Sequence, residues 1–404
     1  AFVYDGSEHA VAAYTVPEGA LQGTDSLADA DCVFAEGFGN TQTDVTDRAV
    51  TLTGVTIRKD GADVTGNYDI TLADGRMIVK QASIAGGLTL IGETHVYDGG
   101  EHFATLSDTL RTTFGTYSLA NAVKADGTPR FAVTYTATPE GGSEGAASAD
   151  TPRFTNVTTQ TVTAYVTDTT GNMTIAPATA QVVVSRRPVT VAVTSESGIP
   201  YDGLGHTLTG YTAERATMAE GIAIGSRGLV GSDDLTAVLH NAGPHILPNV
   251  YDVTVDGAQM TTGSKDNYDI AYVPGTLTIT QATGIGLTLT GFEGIYDGQR
   301  HGYTAGANVP EGTEYTYTVL EDNGDTHTLT AAELAGYVDQ GEYPLTIRIS
   351  SPCYADTATQ TAAVKIGKRP ITVTSGNNRA APFTFNGSGQ SVTAAMLAED
   401  SAYT

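Results

Sequence analysis

Short runs of alternating apolar and polar residues recur along the whole chain, as in VTVAVT (189–194), TLTIT (276–280), YTYTVL (315–320) and LTIRIS (345–350). A period of two turns one side of an extended segment toward a core and the other toward water, so each run predicts a half-buried β-strand. Asp-Gly, Asn-Gly and Gly-Gly pairs separate the runs, and the spacing predicts about six to eight short strands per unit. Helix is predicted at one place, TAAELAGY (330–337), where Thr330 and Glu333 have the spacing of a capping box. The segment GGSEGAASAD (141–150) reads as a flexible, protease-sensitive loop.

The strand pattern is itself repeated. The string VYDGSEHA around Tyr4 returns as VYDGGEHF at Tyr97, PYDGLGHT at Tyr201 and IYDGQRHG at Tyr296, with a weaker TFNGSGQS at Phe385. The copies stand roughly 90 to 105 positions apart, the length of one small domain. Their tails are of two kinds. GNYDITLADGRMIVKQAS (66–83) matches DNYDIAYVPGTLTITQAT (266–283), whereas TAQVVVSRRPVTVAVTS (179–195) matches TAAVKIGKRPITVTS (361–375). The order is therefore A1 (1–82), B1 (83–187), A2 (188–282), B2 (283–369) and a partial A3 (370–404). A1 lacks the opening strand ahead of Phe2 and A3 stops at Thr404, so the chain reads as a window of a longer array. The expected fold is all-β: a tandem array of small Ig-like β-sandwich, or related β-grasp-like, domains in an elongated arrangement.

Within each copy Tyr, Asp, Gly and His could form a proton relay or a turn. The residues are Tyr4, Asp5, Gly6 and His9; Tyr97, Asp98, Gly99 and His102; Tyr201, Asp202, Gly203 and His206; Tyr296, Asp297, Gly298 and His301. Recurrence at domain spacing favours a structural role, and the fifth copy replaces Tyr, Asp and His by Phe385, Asn386 and Gln390. The expectation is a hairpin with a type I′ Asp-Gly turn, the Tyr buried ahead of it and the His on the returning strand. In B2, Asp339, Gly341 and Tyr343 have the D-x-G-x-Y spacing of a tyrosine corner, a structural brace that B1 lacks.

Charge narrows the function. The 404 residues carry 45 acidic and 20 basic side chains, a net charge of -25, which opposes any phosphate-backbone partner such as nucleic acid. No apolar stretch approaches a membrane span, and AFVYDGSEHA is not a signal peptide. The two cysteines, Cys32 and Cys353, fall in different repeats and are expected to be unpaired.

Candidate chemistry is sparse. Asp322, Asn323 and Asp325 in EDNGDTH offer oxygen ligands for calcium, but the twelve-residue EF-hand pattern is absent and Asn-Gly predicts a hairpin turn there. GIAIGSRG (221–228) has spaced glycines with no helix to follow and reads as a loop. No HExxH, paired Cys and His spacing or G-x-S-x-G elbow occurs, so neither a catalytic residue nor a cofactor is expected. Lys80 and Lys365 each lack a counterpart in the paired repeat, which confines any isopeptide crosslink to one unit.

RRPVTVAVTSESGIPYDGLGHT with its NYDIAYVPGTLTIT close resembles the YDG and MBG-type repeats of bacterial surface proteins. GIYDGQRHGYTAGANVPEGTEYTYTVLEDNG with DQGEYPLTIRIS resembles the Ig-like repeat that alternates with them. The resemblance covers essentially the whole chain. It implies an extracellular, cell-wall-attached or secreted adhesin-like protein of host-associated bacteria, with no catalytic residues to carry over. The expected role is a stalk that projects a binding region, its partners being neighbouring repeats. The alternatives are repeats that bind a host glycan, mucin or protein, or that assemble into a filament.

Overall fold

The computed structural model describes residues 1–372 and 387–388. Phe385, Asn386 and Gln390 of the fifth copy lie outside the described residues. The described chain is all-β: many short strands, three 3-10 turns and one short α-helix, Ala331–Ala335. It divides into two compact units. One comprises residues 1–194, 209–241 and 253–275, and the other residues 195–208, 242–252 and 276 onward.

The four complete motif copies share one strand arrangement. The strand leading into the tyrosine pairs in parallel with a strand about 70 to 90 residues on. These pairs are Phe2–Val3 with Gly75–Lys80, Glu93–Val96 with Ala178–Ser185, Glu196–Pro200 with Gly275–Thr280, and Glu293–Ile295 with Ala358–Gly367. Each ladder ends on the motif, because the N–H of Tyr4, Tyr97, Tyr201 and Tyr296 donates to Lys80, Ser185, Thr280 and Gly367 at 2.9 Å. In the first two copies one residue separates the closing strand from the first strand of the next segment.

The two B-type segments have the same sheet order. In the first unit it is Glu93–Val96, Ala178–Ser185, Thr158–Asp168, Phe131–Pro139. In the second it is Glu293–Ile295, Ala358–Gly367, Gly341–Ser350, Thr316–Leu320, with Thr326–Thr328 added at the edge. Alternation builds the cores, as in Gly341–Ser350, where Leu345, Ile347 and Ile349 are buried while the residues between them are half-buried. The A-type segment in the first unit adds a further sheet in which Arg187–Val193 lies between Tyr211–Ala213 and Tyr268–Val273.

Local expectations meet the structure unevenly. Thr330 accepts from the Glu333 N–H and Glu333 accepts from the Thr330 N–H, so the capping box forms. Tyr343 Oη donates to the Asp339 carbonyl at 3.2 Å, as a tyrosine corner requires. Segment 141–150 is tied down instead of swinging free: Gly145 N–H donates to Ala137, Ser148 bridges to Tyr135, and Glu144 accepts from Thr136 and Tyr165. Composition spoke for flexibility there, but one carboxylate anchors the loop to its sheet.

Candidate functional site

The Tyr-Asp-Gly-His copies are turns of a kind other than the expected hairpin. Their glycines have φ of +81° (Gly6), +82° (Gly99), +79° (Gly203) and +80° (Gly298), a region that costs glycine little. The aspartates do not share it, as type I′ would require, and the flanking strands pair elsewhere. Each aspartate instead closes an Asx turn, accepting the N–H of Ser7, Gly100, Leu204 or Gln299 at 2.8–2.9 Å. The histidine Nε2 stands 3.0 Å from the same carboxylate in three copies, and 3.2 Å at His9. The Ser7 hydroxyl and N–H hold Asp5 below its ordinary pKa, and the N–H groups of Leu204 and Gln299 do so for Asp202 and Asp297.

The tyrosine hydroxyl takes no part in that Asp–His pair. In three copies it points into the segment that follows. Tyr4, 6% exposed, packs edge-on against Phe114, and its hydroxyl accepts from Arg130 at 3.2 Å. Arg130 also pairs with Asp168, which is buried. Tyr97, 8% exposed, packs edge-on against Tyr268 and donates to Asp233 at 3.4 Å, beside the 2.6 Å bond from Tyr268 to the same oxygen. Tyr201, 5% exposed, packs against Tyr354 and shares a 2.7 Å bond with Thr313 Oγ1. Tyr296, the fourth, is 38% exposed.

Further polar contacts recur at these junctions. Gln81 donates to the Gly171 carbonyl and Gln281 to that of Pro352, while the next residues, Ala82 and Ala282, donate to Asn172 and Cys353. Asn172 reaches back to accept from Val45 and donate to Asp44, and Asn267 does the same with Val157 and Asn156. Backbone groups that a loop would leave to water are thereby satisfied within the protein.

Arg187 was read from sequence only as a boundary residue, and it is fully buried. Its guanidinium donates to the carbonyls of Gly228, Tyr97, Ile224 and Arg227 at 2.9–3.1 Å. GIAIGSRG is not all loop, since Ile222–Ile224 is a strand paired with Thr217–Ala219, and its carbonyls form a cage with the Tyr97 backbone. The cage contains no carboxylate, and burial lowers the Arg187 pKa. The glycines that read as empty spacing turn those carbonyls inward.

Of the calcium candidates, Asn323 accepts from the Asp325 N–H and donates to its carboxylate, closing the turn between Thr316–Leu320 and Thr326–Thr328. The nearby side chains gathered together are Glu321, His327 and Glu333. Cys32 and Cys353 are free thiols. Lys365 pairs on the surface with Glu342 at 2.8 Å. No described helix is long and apolar enough to cross a membrane.

No family model and no curated protein matches the chain. Among solved structures it is similar to Drosophila N-cadherin EC1-4, at 12% identity, 91% coverage of this chain and 98% of that one, with a TM-score of 0.21. It is also similar to three N-terminal domains of the bacteriophage RB49 highly immunogenic outer capsid protein (12%, 70% and 99%, 0.22). A third is the N-terminal four Ig domains of Dscam1 isoform 6.44 (12%, 74% and 78%, 0.18). Similarity this low bears on neither function nor partners, and the all-β assignment rests on the strand pairings above.

Proposed function

We propose that this chain is a non-catalytic extracellular spacer of the bacterial surface-adhesin kind, in which tandem β domains are held in series and project a binding region. One observation carries the reading: three successive motif tyrosines are buried under the segment that follows, each with a hydroxyl partner there. A catalytic relay would direct the tyrosine at the Asp–His pair, whereas here that pair closes the turn and the tyrosine joins neighbours. Closing strands followed by the next strand after one to five residues, the net charge of -25 and the resemblance to YDG-type surface repeats support the same role.

Strands of about six residues with loops at both ends give a unit of roughly 35–40 Å, and four in series about 150 Å. Small-angle scattering on the 404-residue chain is expected to give a rod of about that length, independent of calcium. A globular radius of gyration overturns the spacer reading.

A further inference from the structure

We propose that Glu93, His95 and His102 form a binding site for a borderline divalent metal ion such as Zn²⁺. One ligand atom of each lies within 4.8 Å of the others. His95 Nε2 is 3.4 Å and His102 Nδ1 3.6 Å from Glu93 Oε2. Ligands at about 2.0–2.1 Å around tetrahedral zinc stand roughly 3.3 Å apart, so little movement is needed along those two edges.

The outer shell is also present. His102 is buried, and its other nitrogen, Nε2, is 3.0 Å from Asp98 Oδ1. A carboxylate there holds the imidazole so that Nδ1 presents its lone pair to the ion. The motif's structural Asp–His pair thereby becomes a second-shell arm, and His95 and Glu93 supply the rest. The rings of His95 and His102 are stacked at 4.0 Å, and ligation tilts His95 out of that stack.

The repeats act as internal controls. Two residues ahead of the motif tyrosine stand Phe2, His95, Ile199 and Gly294, and four ahead Glu93, Ser197 and Phe292. In two other copies a phenylalanine covers the motif histidine, Phe2 over His9 at 4.7 Å and Phe292 over His301 at 3.5 Å. Only this copy replaces that apolar cover with metal-ligating groups. Two imidazoles favour zinc-like ions over calcium.

Zn²⁺ is titrated into the 404-residue chain by calorimetry, with histidine ¹⁵N shifts as a second readout. The expected result is one site whose affinity falls at least about tenfold in His95→Phe and in Glu93→Gln, with the His95 and His102 resonances shifting. His95→Phe installs the residue type found at this place in the first copy, so folding is preserved. Absence of binding, affinity unchanged in both variants, or loss of the site in His327→Ala instead each overturns the assignment.

Discussion

At the residue scale, Gly341 and Tyr343 show how much one missing methyl can decide. A Cβ on Gly341 would sit 2.8 Å from Tyr343 Cζ, so Gly341→Ala must push the ring off its bond to Asp339. The expected loss is about 1–3 kcal/mol in denaturant unfolding, with Tyr343→Phe losing roughly 1 kcal/mol. Equal stability for Gly341→Ala and wild type would show that the corner bears no load. The second residue-scale prediction concerns His327, whose hydrogen bond to Glu333 at 2.5 Å raises its pKa. Its contribution is complete below the unfolded histidine value near 6.5 and fades as pH rises through the higher folded value. NMR titration should place His327 above that value and return it to normal in Glu333→Gln. The corner and the capping box were legible because both are fixed-spacing devices within a few residues. Arg187 was not, because an arginine at a domain boundary is usually solvated, and the carbonyls that cage it lie about 40 residues away in sequence or, for Tyr97, 90.

At the scale of elements, the repeated turn was legible as a unit but not as a geometry. Asp-Gly suggested a hairpin, yet periodicity does not say which strand a strand will pair with. The structure joins each opening strand to the distant closing strand of its own segment, and in three copies the tyrosine is left over to serve the next one. Burial then predicts an unequal mutational response. Tyr201→Ala removes a ring that is 5% exposed together with its bond to Thr313, at a cost of roughly 3–5 kcal/mol. Tyr296→Ala, at a position 38% exposed, is expected to cost well under half as much. Urea unfolding of the two variants compares them directly, and equal losses would remove the distinction between a junction tyrosine and a surface one.

At the scale of the molecule, coupling between neighbours decides whether a string of domains behaves as a string or as a rod. In a linear array each unit contributes its own stability and one interface term, so cooperativity extends only as far as the interfaces are strong. The junction around Tyr97 is tied at several points: the Tyr97 bond to Asp233, the Asn267 bonds to Asn156 and Val157, and the Arg187 cage closing on the Tyr97 carbonyl. Arg187→Met removes four hydrogen bonds, those to the carbonyls of buried Tyr97 and Gly228 among them, while keeping most of the side-chain volume. It should destabilise by about 3–5 kcal/mol through those unsatisfied acceptors. Because the cage closes on Tyr97 as well as on the 224–228 loop, part of that loss belongs to the interface, and calorimetry should show the unfolding envelope split into separate transitions. A uniform fall in Tm with the envelope intact would place the whole effect of Arg187 inside one domain and leave the tyrosines as the main coupling between neighbours.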